Sequence, residues 1–229
     1  MLLTNIKDNP RLSFFSAFFF IVFICLSVWQ ISKGFEKYDL ETDFEQSLAL
    51  LPKQYSYDSK QWDLISINGR FDFDKEILID NKIYSGQKGY TVLTPFIPTD
   101  LSLHTFLVDR GWASNSYSSI PLNESNKTIK GIIYSPEKNF VVGDELASDD
   151  WPKVVQQKDI SFLESVFPNK LEKYLIKLDP ANPYTLEYIP LIPSKISSSK
   201  HFGYAFQWLI MAIVLAFVFF KFINKHYEQ

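Results

Sequence analysis

Two long apolar runs stand at the ends of this chain, with an ordinary charged sequence between them. Leu12 to Ser32 carries no charge between Arg11 and Lys33. Phe202 to Phe220 is again free of charge. At about 1.5 Å per residue each run is long enough, as a helix, to cross one bilayer core. Between them the pattern changes to short alternating runs. WDLISINGRF, KEILIDNKIY, GYTVLTPFIP, HTFLVDRGWA, KTIKGIIYSP and LEKYLIKLD read as strands, with turns expected at Asp80-Asn81 and after Pro95 and Pro98. Asp159 followed by Phe162, Leu163 and Val166 predicts a short capped helix. Gly34 to Ser59 reads as a short helix leaving the membrane and a linker after Pro52, and the proline- and serine-rich stretch 182–199 as an extended return. The expected architecture is two transmembrane α-helices flanking an antiparallel β-rich (α+β) extramembrane domain, an antiparallel sheet or small barrel. Its parts are an N-terminal tail (1–11), a first span (12–32), the domain (33–200), a second span (201–220) and a C-terminal tail (221–229).

Composition sharpens this picture at three points. A mean hydropathy of −0.06 averages two different materials, apolar ends and a polar middle. The middle, residues 34–200, holds 18 Lys+Arg against 24 Asp+Glu, a net charge of −6, which argues against a nucleic-acid partner. The one cysteine, Cys25, lies in the first apolar run, so the domain has no disulfide and no thiolate metal site. The first run lacks a small-x-small cleavage site after it and reads as an uncleaved anchor, without the arginine-rich stretch of a mitochondrial presequence. Lysines flank both spans on both sides, so charge alone leaves the orientation a tie.

Enzyme signatures are missing. The chain contains no GxSxG, P-loop, GxGxxG or HExxH, and His104 sits beside acids without a nucleophile in a recognisable setting. The polar residues at the membrane boundary are more informative. The first span exits through Trp29 and Gln30. The second is entered through His201, Tyr204, Gln207 and Trp208, of which His201, Tyr204 and Trp208 have helical spacing. If the spans are antiparallel neighbours, these residues lie at similar depth. An imidazole, hydrogen-bond donors and flat rings could hold a haem. The same residues could equally join helix to helix, or anchor the spans at the interface.

At these positions the sequence resembles the surfeit locus protein 1 family, assembly factors of cytochrome c oxidase. Trp29-Gln30 with Lys33 and Lys37 resembles the family's exit from its first span. Gly69-Arg70-Phe71, Gly89-Tyr90 leading to Thr94-Pro95, and Leu107-Val108-Asp109-Arg110-Gly111-Trp112 resemble its strand motifs. His201, Tyr204, Ala205 and Trp208 resemble its second span. Asp109 departs from the usual asparagine, Ala113-Ser114 from Val-Pro, Lys33 from arginine and Lys200 from asparagine. The resemblance implies an inner-membrane protein with its domain in the periplasm, or in the intermembrane space in mitochondria; the missing presequence favours the bacterial membrane and the missing motifs a non-enzymatic role. Both termini would be cytoplasmic and the domain periplasmic. It implies transiently bound haem a as cofactor, with His201 as iron ligand and Trp29, Gln30, Tyr204 and Trp208 as pocket walls. Oxidase subunit I and the haem a synthesis enzymes would be partners, alongside membrane lipid. A haem-free scaffold for an assembly intermediate is the alternative. Arg110, Gly111 and Trp112 are expected either to contact a partner or haem propionate, or to form a buried polar network and pack the sheet.

Overall fold

The computed structural model describes residues 9–100, 102–118, 125–136, 148 and 150–225. Most of the N-terminal tail (1–8) and the end of the C-terminal tail (226–229) lie outside the described residues. The chain divides into two units, one formed by Met1–Phe44 and Ile192–Gln229, the other by Glu45–Leu191.

The first unit is a pair of helices. Helix α1 runs Pro10–Leu48 without interruption, and the last helix, α3, runs Ser198–Lys225. Both are long and apolar enough to cross a membrane. Residues 33–48 therefore do not form a separate helix but continue α1 by about 24 Å beyond its apolar run. The physical reason is that no proline occurs between Pro10 and Pro52 to break the helix. Gly34 is the one glycine in the extension, and it serves a contact. A Cβ at Gly34 would lie 2.6 Å from the Phe202 ring, so glycine lets the two helices approach.

The second unit is a β-domain. Its strands are β1 (Lys53–Gln54), β2 (Leu64–Phe71), β3 (Ile77–Tyr84), β4 (Gln87–Pro98), β5 (Thr105–Ser114), β6 (Lys127–Tyr134), β7 (Lys153–Val155) and β8 (Leu171–Leu178). Helix α2 (Ile160–Val166) precedes β8, and the Asp159 carboxylate accepts from Ser161 N and Phe162 N as its cap. The strand order is β1-β2-β6-β8-β5-β4-β3-β7, and β2 also pairs with β4. That pairing closes β2, β6, β8, β5 and β4 into a five-stranded barrel. Ile65, Ile67, Phe71, Phe96, Phe106, Val108, Ile129, Ile133, Ile176 and Leu178 fill it from alternate positions.

Three pairings are parallel: β1 with β2, β3 with β7, and β5 with β8. The sheet is thus not purely antiparallel as expected. The Asp80-Asn81 pair does not turn the chain either. It sits in a bulge of β3, with Asn81 at φ 59°, and the hairpin reverses at Ser85-Gly86. Pro95 does not end its strand. It falls between the β4 residues that pair with β3, up to Leu93, and those that pair with β2, from Phe96. A missing amide is tolerated at such a change of partner.

Gly89 marks a second close approach. A Cβ there would lie 2.1 Å from the Ala113 carbonyl and 2.6 Å from the Trp112 indole. Gly89→Ala must push strand from strand and is expected to cost about 1–3 kcal/mol. Urea unfolding of the two proteins checks this, and an unchanged midpoint would show that the barrel yields there.

Candidate functional site

The helix pair is held at three levels by polar contacts. Ser27 Oγ donates to the Ala205 carbonyl at 2.9 Å. His201 Nδ1 donates to Gln30 Oε1 at 2.7 Å. The Glu41 carboxylate accepts from Ser198 N at 3.1 Å and from Ser198 Oγ at 2.6 Å, capping the first turn of α3. Aromatic contacts lie along the same pair, one beyond the Ser27 level and one between Gln30 and Glu41. Phe23 stacks on Trp208 with ring centroids 5.7 Å apart, and Phe35 meets Phe202 edge to face at 5.3 Å.

His201, Ala205 and Ala212 are buried and Trp208 half-buried, at positions i, i+4, i+7 and i+11 of α3. That stripe is the face of α3 turned to α1. His201 is 9% exposed, and Gln30 is half-buried beside it. Trp29 and Tyr204 lie off the stripe, 51% and 48% exposed, and Gln207 is exposed as well. The structure brings Gln30 to His201 and places Trp208 two turns deeper on Phe23. It leaves Trp29 and Tyr204 on the outer surface of the pair. Phe23, Ser27, Gly34 and Glu41 were not singled out in the sequence. Their spacing from Gln30 along one helical face is the signal that could have found them.

The arrangement has a chemical consequence. With the Gln30 amide oxygen facing the ring, a neutral His201 in this arrangement carries its proton on Nδ1 and its lone pair on Nε2. An imidazole fixed in this way could offer one nitrogen to a metal. Among the described residues no group of three or more His, Cys, Asp or Glu side chains could hold a metal ion. The donor set fits a haem, whose porphyrin supplies four of the iron's ligands and leaves one or two to the protein. It does not fit a bare ion.

The β-domain carries two charged clusters on β5. Arg110 Nη1 donates to Glu76 Oε1 at 2.8 Å, and its Nε to the Tyr184 carbonyl at 2.8 Å. Thr94 Oγ1 and Tyr117 Oη donate to the same carboxylate at 2.6 and 2.9 Å, and the Arg110 guanidinium lies 5.1 Å from the Phe73 ring centroid. Burial and the Glu76 carboxylate push the Tyr117 hydroxyl up to about 12, against the opposing effect of Arg110. One residue earlier Asp109 points the other way. It accepts from Lys177 Nζ at 2.9 Å, Tyr134 Oη at 2.8 Å and Gly111 N at 3.0 Å, with Lys158 Nζ at 3.7 Å. Gly111 has φ +116° and is a bulge glycine where a side chain would strike the Glu187 carbonyl. Trp112 Nε1 donates to the Lys82 carbonyl at 3.0 Å, and its ring lies 5.6 Å from Tyr84. Arg110, Gly111 and Trp112 thus each have hydrogen-bond partners inside the domain.

Two membrane-length helices, a closed five-stranded barrel, and one histidine hydrogen-bonded between the helices define a membrane-helix protein with a small extramembrane β-barrel. The SURF1 family profile matches residues 17–213, and the chain belongs to that family. It is 26% identical over 218 residues to a SURF1-like protein of Rickettsia prowazekii, covering 87% of this chain and 84% of the relative. It is 30% identical over 105 residues to an uncharacterized SURF1-like protein of Mycobacterium tuberculosis, covering 42% and 38%. It is also 30% identical over 101 residues to the cytochrome oxidase assembly protein SHY1 of Saccharomyces cerevisiae, covering 41% of this chain and 26% of the relative.

Proposed function

We propose that this protein is a non-enzymatic assembly factor for cytochrome c oxidase that holds haem a on His201 and assists its insertion into subunit I. The observation that carries the reading is the buried His201 on α3, bonded at Nδ1 by Gln30 and left with a lone pair on Nε2. Haem a, when bound, supplies the iron that such a nitrogen ligates. The chain's own part is to present one imidazole, in one tautomer, among apolar and aromatic side chains. At 9% exposure the ring meets a flat macrocycle only after a neighbour moves, so loading and unloading are gated. A single protein ligand suits a carrier, because cargo held too tightly is not released. Trp208 on the same face, and Trp29 and Tyr204 on the flanks, would form the walls. With two spans both termini lie on one side, taken here as the cytoplasm of a bacterial cell, and the β-barrel domain lies in the periplasm. There it would meet subunit I and the enzymes that make haem a.

The detergent-purified chain, produced in cells that synthesise haem a, is expected to show a haem a absorption spectrum that His201→Ala lacks. Haem retained by the variant would remove His201 as ligand. A second reading is favoured by the exposure of Trp29 and Tyr204, which could dock another membrane helix. In it the protein is a haem-free scaffold for an assembly intermediate. It requires that His201→Ala still supports oxidase assembly, while substitutions at Trp29 and Tyr204 do not.

A further inference from the structure

We infer that Gln30 is a positioning residue that selects the nitrogen His201 offers, and that it ties the ligand's competence to the pairing of α1 with α3. The inference rests on the haem reading and deepens it. The imidazole belongs to α3 and its hydrogen-bond acceptor to α1. Neutral histidine without an acceptor divides its proton between two nitrogens. An acceptor at Nδ1 keeps the proton there and makes Nε2 the more basic ligand atom.

The register that holds Gln30 opposite His201 is pinned on both sides along the pair. Ser27 bonds the Ala205 carbonyl below, and Gly34 against Phe202 and Glu41 on Ser198 fix the pair above. Ser27, Gln30, Gly34 and Glu41 follow one face of α1 at intervals of three, four and seven. The acceptor therefore cannot slide along α1 to another depth while these contacts stand. Drawing α3 away from α1 removes it. A partner helix that separates the pair would thus weaken the ligand at the moment of transfer, with no change at His201 itself. A histidine ligand stripped of such a partner typically loses about 10- to 100-fold in metal affinity.

The test uses the full chain in detergent. It carries 15N-labelled histidine and no haem, and His201→Ala identifies the His201 signals among those of His104 and His226. The proton is expected on Nδ1 in the unchanged protein and to pass largely to Nε2 in Gln30→Leu. Gln30→Glu, whose carboxylate also accepts, should keep it on Nδ1. After haem loading, the iron–imidazole stretching frequency should rise in Gln30→Glu and fall in Gln30→Leu, with the dissociation constant of the leucine variant raised about 10- to 100-fold. A proton on Nε2 in the unchanged protein, or tautomer and stretching frequency indifferent to residue 30, would overturn the inference. A proton on Nδ1 that moves with Gln30→Leu, in a protein that takes up no haem, would support the positioning role and sink the haem reading alone.

Discussion

Arg110→Leu is expected to lower the stability of the β-domain by roughly 3–5 kcal/mol, the usual cost of removing one partner of a buried ion pair. Glu76 is fully buried, and Arg110 is its one ion-pair partner among the described contacts. Without the guanidinium the carboxylate keeps, among the described contacts, the Thr94 and Tyr117 hydroxyls and must either stay charged in a buried setting or take up a proton. The Tyr184 carbonyl loses its donor at the same time. In a domain of this size the change corresponds to a fall of about 10 °C or more in the unfolding midpoint. Removing both charges, in Glu76→Leu with Arg110→Leu, should cost less than the sum of the single changes, because neither charge is then left alone. Thermal unfolding of the four proteins, followed by the β-sheet signal, measures the coupling. An Arg110→Leu protein within about 1 kcal/mol of the parent would mean the pair is held open to water and is no anchor of the fold.

How far the sequence foretold this molecule depended on the range of the interaction. The two apolar runs, six strands and the Asp159-capped helix are visible because each is written in local periodicity. β1 and β7, two and three residues long, have no period to detect. The parallel pairings depend on which distant strand is adjacent, and no local pattern records that. Asp80-Asn81 has the composition of a turn, but Ser85-Gly86 supplies the reversal and leaves Asn81 to a bulge. At the helix pair, depth was legible and rotation was not. Gln30 and His201 meet as expected from their distance along the spans, whereas Trp29 is turned about 100° away from Gln30 on the same helix. Glu76 and Lys177 could not be connected to β5 from sequence. They are 34 and 68 residues distant from their partners, and the β3–β4–β5 and β5–β8 pairings bring them there.

Asp109→Asn should be the more informative of the charge changes, since it removes the charge while keeping the size of the side chain, and it is expected to destabilise this chain by roughly 3–5 kcal/mol. The reason is the company Asp109 keeps. Lys177, opposite it in the β5–β8 register, is itself buried, and Lys158 stands 3.7 Å from the same carboxylate. An amide leaves both ammonium groups without a counter-charge. Burial works to raise the Asp109 carboxyl, but Lys177 and Lys158, with hydrogen bonds from Lys177 and Tyr134, outweigh it and hold its pKa below the ordinary value. A carboxyl lowered in the folded state favours folding while it is charged. Its contribution is complete above the unfolded pKa of about 3.9 and is lost as pH falls through the lower folded value. Burial, against the pull of Asp109 and aided by Lys177 and Lys82, lowers the Lys158 ammonium, so that lysine is a cost at neutral pH that eases as pH rises through its depressed value. Asp109→Asn should therefore have a lower urea midpoint at neutral pH and a shallower loss as pH falls below about 4. Adding Lys177→Met should recover part of the neutral-pH loss. If the single variant matched the parent at both pH values, Asp109 would carry no net stabilisation against the two lysines.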